Sequence, residues 1–200
     1  MNPLIQLKQT TSVFLFAFWM ACFGFSPAMQ AISPPPDGGY PGGNTAEGQS
    51  ALLSLTTGGF NTAVGFLSLS ANMTNSFNTA VGAGALLVTT GEGNTATGAG
   101  ALLSDTTGST NTANGTFALF SNTTGSDNTA IGRRALQNNT GSGNTAVGRD
   151  ALFSTTTGTD NIALGRAAGS AQTTGGSNIF IGDVGGAGVS NVIGIGNSPR

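Results

Sequence analysis

Apolar residues follow two different regimes along this chain. Between Ser12 and Phe25 they are nearly continuous, with Val13-Phe14-Leu15-Phe16-Ala17-Phe18-Trp19-Met20 at the centre. From Asn44 onward they recur on a fixed period with polar and glycine positions between them. The first run is too short to span a bilayer comfortably, which takes about 20 residues. It follows a short polar segment whose one positive charge is Lys8, and it precedes Ser26-Pro27-Ala28, which sets small residues at −3 and −1. This order predicts a secretory signal peptide over residues 1–28, cleaved after Ala28, with Ala31 as the alternative. An uncleaved membrane anchor is the competing reading. A lipoprotein acylated at Cys22 is another, but Trp19-Met20-Ala21 fits a lipobox poorly. Residues 29–43 contain Pro34-Pro35-Pro36 and four glycines, and they read as an extended linker.

The periodic region begins at Asn44. Cutting before the recurring asparagine gives units starting at 44, 61, 78, 94, 111, 128, 144, 161, 178 and 191. The unit reads Asn-Thr-Ala-x-Gly-x-x-Ala-Leu-x-x-x-Thr-Thr-Gly-x-x, shown cleanly by residues 144–160, and its length is 16 or 17 until a final step of 13. Two-helix repeats need a longer period, and glycine inside each unit costs about 1 kcal/mol in a helix. The pattern therefore predicts an all-β fold, a parallel β-roll or β-solenoid of about ten coils over residues 44–200. Each coil would hold two short strands, Asn-Thr-Ala-Val-Gly and Ala-Leu-x-x, joined by glycine-rich turns.

Stacking such coils at about 4.8 Å makes a rod on the order of 45 Å long. It also turns each unit position into a column. The asparagines become a ladder of amides bonded from coil to coil. Position five is glycine from Gly48 to Gly182, as a positive φ or close backbone approach would require. Alanine at positions three and eight, Val or Ile at four and Leu at nine form the expected core. That core is thin, and its burial hardly offsets the entropy of ordering each coil. Several chains sharing one core would supply the deficit. The last units depart from the pattern, most of all residues 178–200: Ile162, Ile179 and Val192 stand at position two, and Phe180 replaces alanine. They read as atypical terminal coils.

Composition narrows the function. Charged residues are 7% of the chain, the net charge is −2, and there is no histidine. Disorder goes with high net charge and low hydrophobicity, whereas 38% of this chain is hydrophobic. No Lys/Arg cluster large enough to neutralise a nucleic-acid backbone is present. Arg133, Arg134, Arg149 and Arg166 read as a solvated face. Cys22 lies in the leader, so the mature chain would lack a thiol nucleophile and any disulfide. Without histidine there is no imidazole base. The acids Glu47, Glu92, Asp105, Asp127, Asp150, Asp160 and Asp183 fall on scattered unit positions. The expectation is a non-enzymatic protein with no catalytic, cofactor-binding or metal site. Gly91–Gly93 and Gly98–Gly100 imitate fragments of a nucleotide loop, but the repeat accounts for their glycines.

Two surface features remain. Thr-Thr pairs recur at Thr56-Thr57, Thr89-Thr90, Thr106-Thr107, Thr123-Thr124, Thr156-Thr157 and Thr173-Thr174, so an ice-binding solenoid is the alternative function. The plainer account is a β-branched approach to a turn. Asn72, Asn122 and Asn138 head glycosylation-type triplets, which asparagine- and threonine-rich sequence produces by chance.

The units resemble the head repeats of YadA-like trimeric autotransporter adhesins. The resemblance is carried by Asn128-Thr129-Ala130-Ile131-Gly132 and Asn178-Ile179-Phe180-Ile181-Gly182-Asp183 and spans about residues 44–197, at a longer period than the family's. It implies a left-handed parallel β-roll, homotrimeric assembly, and display or attachment at the bacterial surface. The implied location is the outer-membrane surface or the extracellular space, with no membrane span after signal cleavage. Similar arrays occur in fibre-like shaft proteins. Neither stalk heptads nor barrel strands follow the repeats here, so the resemblance implies no means of anchoring.

Overall fold

A computed structural model describes residues 40–196. The expected signal peptide over residues 1–28, its cleavage positions, most of the expected linker and residues 197–200 lie outside the described residues. Ten strands of three residues follow one another: β1 (Thr45–Glu47), β2 (Thr62–Val64), β3 (Thr79–Val81), β4 (Thr95–Thr97), β5 (Thr112–Asn114), β6 (Thr129–Ile131), β7 (Thr145–Val147), β8 (Ile162–Leu164), β9 (Ile179–Ile181) and β10 (Ile193–Ile195). They form one parallel sheet in chain order. Thr45 pairs with Thr62 and Ala46 with Ala63, so each unit position stacks on its counterpart. This is the expected all-β solenoid, with about nine turns.

Each coil contains one strand, not the two predicted. The Ala-Leu segment is a chain of turns, and the leucine sits in the left-handed region, with φ near 50° at Leu102, Leu119 and Leu152. That conformation costs a branched residue roughly 1 kcal/mol or more. It persists because it drives the leucine into the coil interior. Leu69 through Leu152 in this column are wholly buried, worth about 1.5–3 kcal/mol each. The turn also keeps the backbone paired: Leu119 N donates to Ala135 O in the next coil at 3.0 Å, and Asn122 N to Leu119 O at 3.1 Å.

Strand alternation corrects a second expectation. Position three points inward, so the alanines from Ala46 to Ala163 are buried. Positions two and four then face outward. The Val and Ile side chains expected in the core instead line the outside, with Ile131 43% and Leu164 49% exposed. The interior therefore holds two alanines and a leucine per coil, beside two polar columns described below. Position five behaves as expected. A side chain on Gly132, at φ +129°, would lie 2.6 Å from Gly148 O in the next coil. Glycine is needed because successive backbones touch there.

The ends are closed by exchange of volume. At the first coil, Tyr40 bridges to Asn44 and packs half-buried on the core. At the last, Phe180 fills the alanine column and is 1% exposed. The leucine column ends at Leu152 and continues with Gly169, where a Cβ would lie 2.8 Å from the Phe180 ring. One large residue thus occupies space that two columns share elsewhere, as close packing demands.

The final unit corrects a third expectation. Ile193 pairs with Ile179, so Val192, not Asn191, takes position one. The reason is visible in the hydrogen bonds: Val192 N donates to Asn178 Oδ1 at 2.9 Å. Asn191 has φ 59°, the left-handed geometry seen at position seventeen in Asp127 and Asp160. The final step, from Ile179 to Ile193, is therefore 14 residues, and Ile193 is the residue at position two.

Candidate functional site

Two buried polar ladders hold the coils in register, and only the first was legible in the sequence. Asn44 Oδ1 accepts the backbone N–H of Asn61 at 2.8 Å. The same bond repeats from Asn61 to Asn78, and onward to Asn161 and Asn178. Each side-chain NH2 also reaches a carbonyl in the turn that closes its own coil, as Asn144 Nδ2 does with Gly158 O at 2.8 Å. These asparagines are 0–3% exposed. Buried polar groups at this depth must be bonded, and position one meets that need with both ends of an amide.

The second ladder runs through position twelve, which varies too much to register as a column: Asn72, Thr89, Asp105, Asn122, Asn139, Thr155 and Gln172. All seven are buried. Asn122 forms a local Asx turn, donating to Gly125 O at 2.9 Å and accepting from Gly125 N at 3.1 Å. Asp105 is the one acid inside. It accepts from Thr89 Oγ1 at 3.0 Å and from Asn122 Nδ2 at 3.0 Å, and Asn94 Nδ2 lies 3.5 Å away. Burial dominates these bonds and pushes its carboxyl up to about 7. Gln172, with one methylene more than asparagine, donates to Val189 O at 3.0 Å but leaves its Oε1 buried without a bond.

The remaining acids are kept apart. Glu47 is on β1, Glu92 and Asp127 occupy turns of different coils, and Asp160 lies two coils from Asp127. Thr110 Oγ1 donates to the Asp127 carboxylate, and Asp183 Oδ1 accepts Gly185 N at 2.6 Å. Among the described residues no group of three His, Cys, Asp or Glu is placed to hold a metal. No helix of the described residues is long and apolar enough to cross a membrane.

The Thr-Thr rows are part of the scaffold. Thr89 is buried and bonded to Asp105, so it leaves the outer row. The hydroxyls of Thr56, Thr106 and Thr156 donate to the carbonyl of the matching residue in the next coil, at 2.8, 2.7 and 3.2 Å. Two of the glycosylation-type asparagines, Asn72 and Asn122, are buried members of the second ladder. Asn138 is half-buried and donates to Phe153 O at 2.9 Å.

What the solenoid offers outward is the sheet face and its corners. Position two carries threonine from Thr45 to Thr145 and isoleucine at Ile162, Ile179 and Ile193. Position four carries Val64, Val81, Ile131, Leu164, Ile181 and Ile195, all partly to largely exposed. The face becomes wholly apolar over β8 to β10, where Ile193 and Ile195 are each 68% exposed. Just past the position-five glycines, the corner carries Arg133, Arg149 and Arg166 on three successive coils. At the N-terminal end, Phe60 and Phe77 stack with ring centroids 5.4 Å apart.

These features define a repeat β-solenoid organised on an internal asparagine column, with an outer sheet face that carries threonine along most of its length and turns apolar over β8 to β10. No protein-family model, curated protein or solved structure matches the chain.

Proposed function

We propose that this is a non-enzymatic, exported structural protein of the adhesin-head type, which assembles with copies of itself and displays its remaining surface for attachment. The carrying observation is the outward apolar column on the sheet face that runs unbroken from Ile131 through Val147, Leu164 and Ile181 to Ile195. An exposed apolar patch of this continuity marks an interaction surface. A thin interior of two alanines and one leucine per coil gives the chain reason to bury that face. The repeat resemblance supplies the specific form, a left-handed homotrimer located at the cell surface or secreted. The partners are then further copies of this chain and an outside ligand.

The test is the solution mass of the purified chain by light scattering, with circular dichroism on the same sample. Wild type is expected to be a trimer with a β spectrum. Leu164→Glu, which places a charge on the outer face without touching the interior, should yield a folded monomer. A wild-type monomer, or a Leu164→Glu protein of unchanged mass, would overturn the assembly.

One observation favours the ice-binding alternative, though not through the rows expected for it. The outward threonines Thr45, Thr62, Thr79, Thr95, Thr112, Thr129 and Thr145 form an unbroken column in strand register. Thermal hysteresis by the purified chain, absent in Thr112→Leu, would move the reading to that function.

A further inference from the structure

Every arginine of the described residues lies at one corner of three successive coils. Asp150 N donates to Arg133 O at 3.0 Å and Ala167 N to Arg149 O at 2.9 Å, so Arg133, Arg149 and Arg166 are stacked neighbours. All three are exposed. Stacked coils are about 4.8 Å apart, and unit charges at that distance repel by about 1 kcal/mol even in water. The protein could avoid this easily, since position six elsewhere is Gln49, Phe66, Ala83, Ala99, Thr116 or Asp183.

Local acids do not neutralise the row. Asp150 is the one carboxylate in ion-pair contact, 3.0 Å from Arg149 Nε and 3.5 Å from Arg134 Nη1. Arg134 is tied down separately, with its guanidinium 4.2 Å above the Phe153 ring and Nε donating to Gln137 Oε1 at 2.8 Å. Asp183 follows at position six of the next coil, where its Oδ1 is taken by Gly185 N. Four arginines against Asp150 and Asp183 leave a local charge of about +2 on a chain whose net charge is −2.

We infer that the Arg133–Arg149–Arg166 row binds a linear acidic polysaccharide, its carboxylate or sulfate groups pairing with successive guanidinium groups along the solenoid axis. This names the ligand class for the displayed surface proposed above and rests on that reading. A straight, exposed row with no concavity fits an extended chain better than a single small anion. Guanidinium offers a planar fork to carboxylate and sulfate alike. A nucleic acid fits less well: the row is short, and the nearby Phe153 face is covered by Arg134 rather than open for base stacking. The row lies just past the position-five glycines, at the corner beside the outer sheet face and not on it.

Heparin and polygalacturonate, as sulfated and carboxylated probes, test this on the full chain by affinity chromatography over a salt gradient. Light scattering on the same fractions reads assembly separately. Wild type should be retained at low ionic strength and released by salt. The triple variant Arg133→Gln, Arg149→Gln, Arg166→Gln, for which Gln49 is the in-chain precedent, should bind at least about tenfold more weakly with a shallower salt slope. Its mass and β spectrum should match wild type. Co-elution of the variant with wild type, or no retention of either, would overturn the inference while a trimeric mass left the assembly reading standing. Equal retention on duplex DNA would also overturn it, by assigning the row to phosphate backbones.

Discussion

Replacing Asp105 with asparagine should stabilise the solenoid at neutral pH and leave it almost unchanged near pH 4. Asp105 is completely buried, and its carboxyl is raised from an ordinary 3.8 to about 7, first by desolvation. The bonds from Thr89, Asn122 and the Gly108 backbone pull the other way without winning. Between those two values the folded chain holds a proton that the unfolded chain has released. Stability from this group is therefore full below about pH 4, falls as pH rises to about 7, and is flat above that. Three pH units at 1.36 kcal/mol each put the loss at roughly 4 kcal/mol. Asparagine removes the titration and suits the position, because Asn72, Asn122 and Asn139 already occupy it. Its amide would donate to Gly108 O as Asn122 does to Gly125 O. Urea unfolding of both proteins at pH 4, 6 and 8 should give a gap that opens with pH. Parallel profiles would mean that Asp105 is not carried as a buried acid.

That prediction depends on a column the repeat formula hides. Position one is asparagine in every coil but the last, so its ladder was legible from recurrence alone, as was the glycine at position five. Position twelve accepts Asn, Thr, Asp or Gln, since any short polar side chain can bond the turn that follows it. Chemical equivalence without identity leaves no mark in a consensus. The missing second strand has a different cause. Ala-Leu reads as a strand by composition, and only the coil closure shows that Leu119 must take a left-handed φ to bury its side chain. Val64 and Ile131 read as core because they are apolar. Strand alternation, with Ala63 and Ala130 already inward, leaves them no choice but the outer face. Asparagine reads as the mark of position one, and that misplaces the last register by one residue. The bond from Val192 N to Asn178 Oδ1 needs a backbone N–H there, which valine supplies as well as asparagine.

Asn144→Ala should be among the most damaging single substitutions in the chain, although it removes only a small polar group. Asn144 Oδ1 accepts Asn161 N at 3.0 Å and Asn161 Nδ2 at 3.1 Å, while its own Nδ2 donates to Gly158 O at 2.8 Å. Asn161 and Gly158 are buried. The position-twelve residue of the same coil is Thr155, which cannot replace the lost amide at Gly158 in the way Asn122 backs up Gly125. Alanine therefore strands a buried N–H and a buried C=O together, each costing about 1–3 kcal/mol. With the small cavity added, the expected destabilisation is about 3–6 kcal/mol. Thr145→Ala next to it faces outward from β7 and should shift stability by no more than about 0.5 kcal/mol. Because each coil touches only its neighbours, the damage should also be local before it is global. Hydrogen exchange should show the Asn161 amide losing protection while coils near β2 keep theirs. An Asn144→Ala protein within about 1 kcal/mol of wild type, with Asn161 still protected, would mean that alanine packing rather than the amide ladder holds the coils in register.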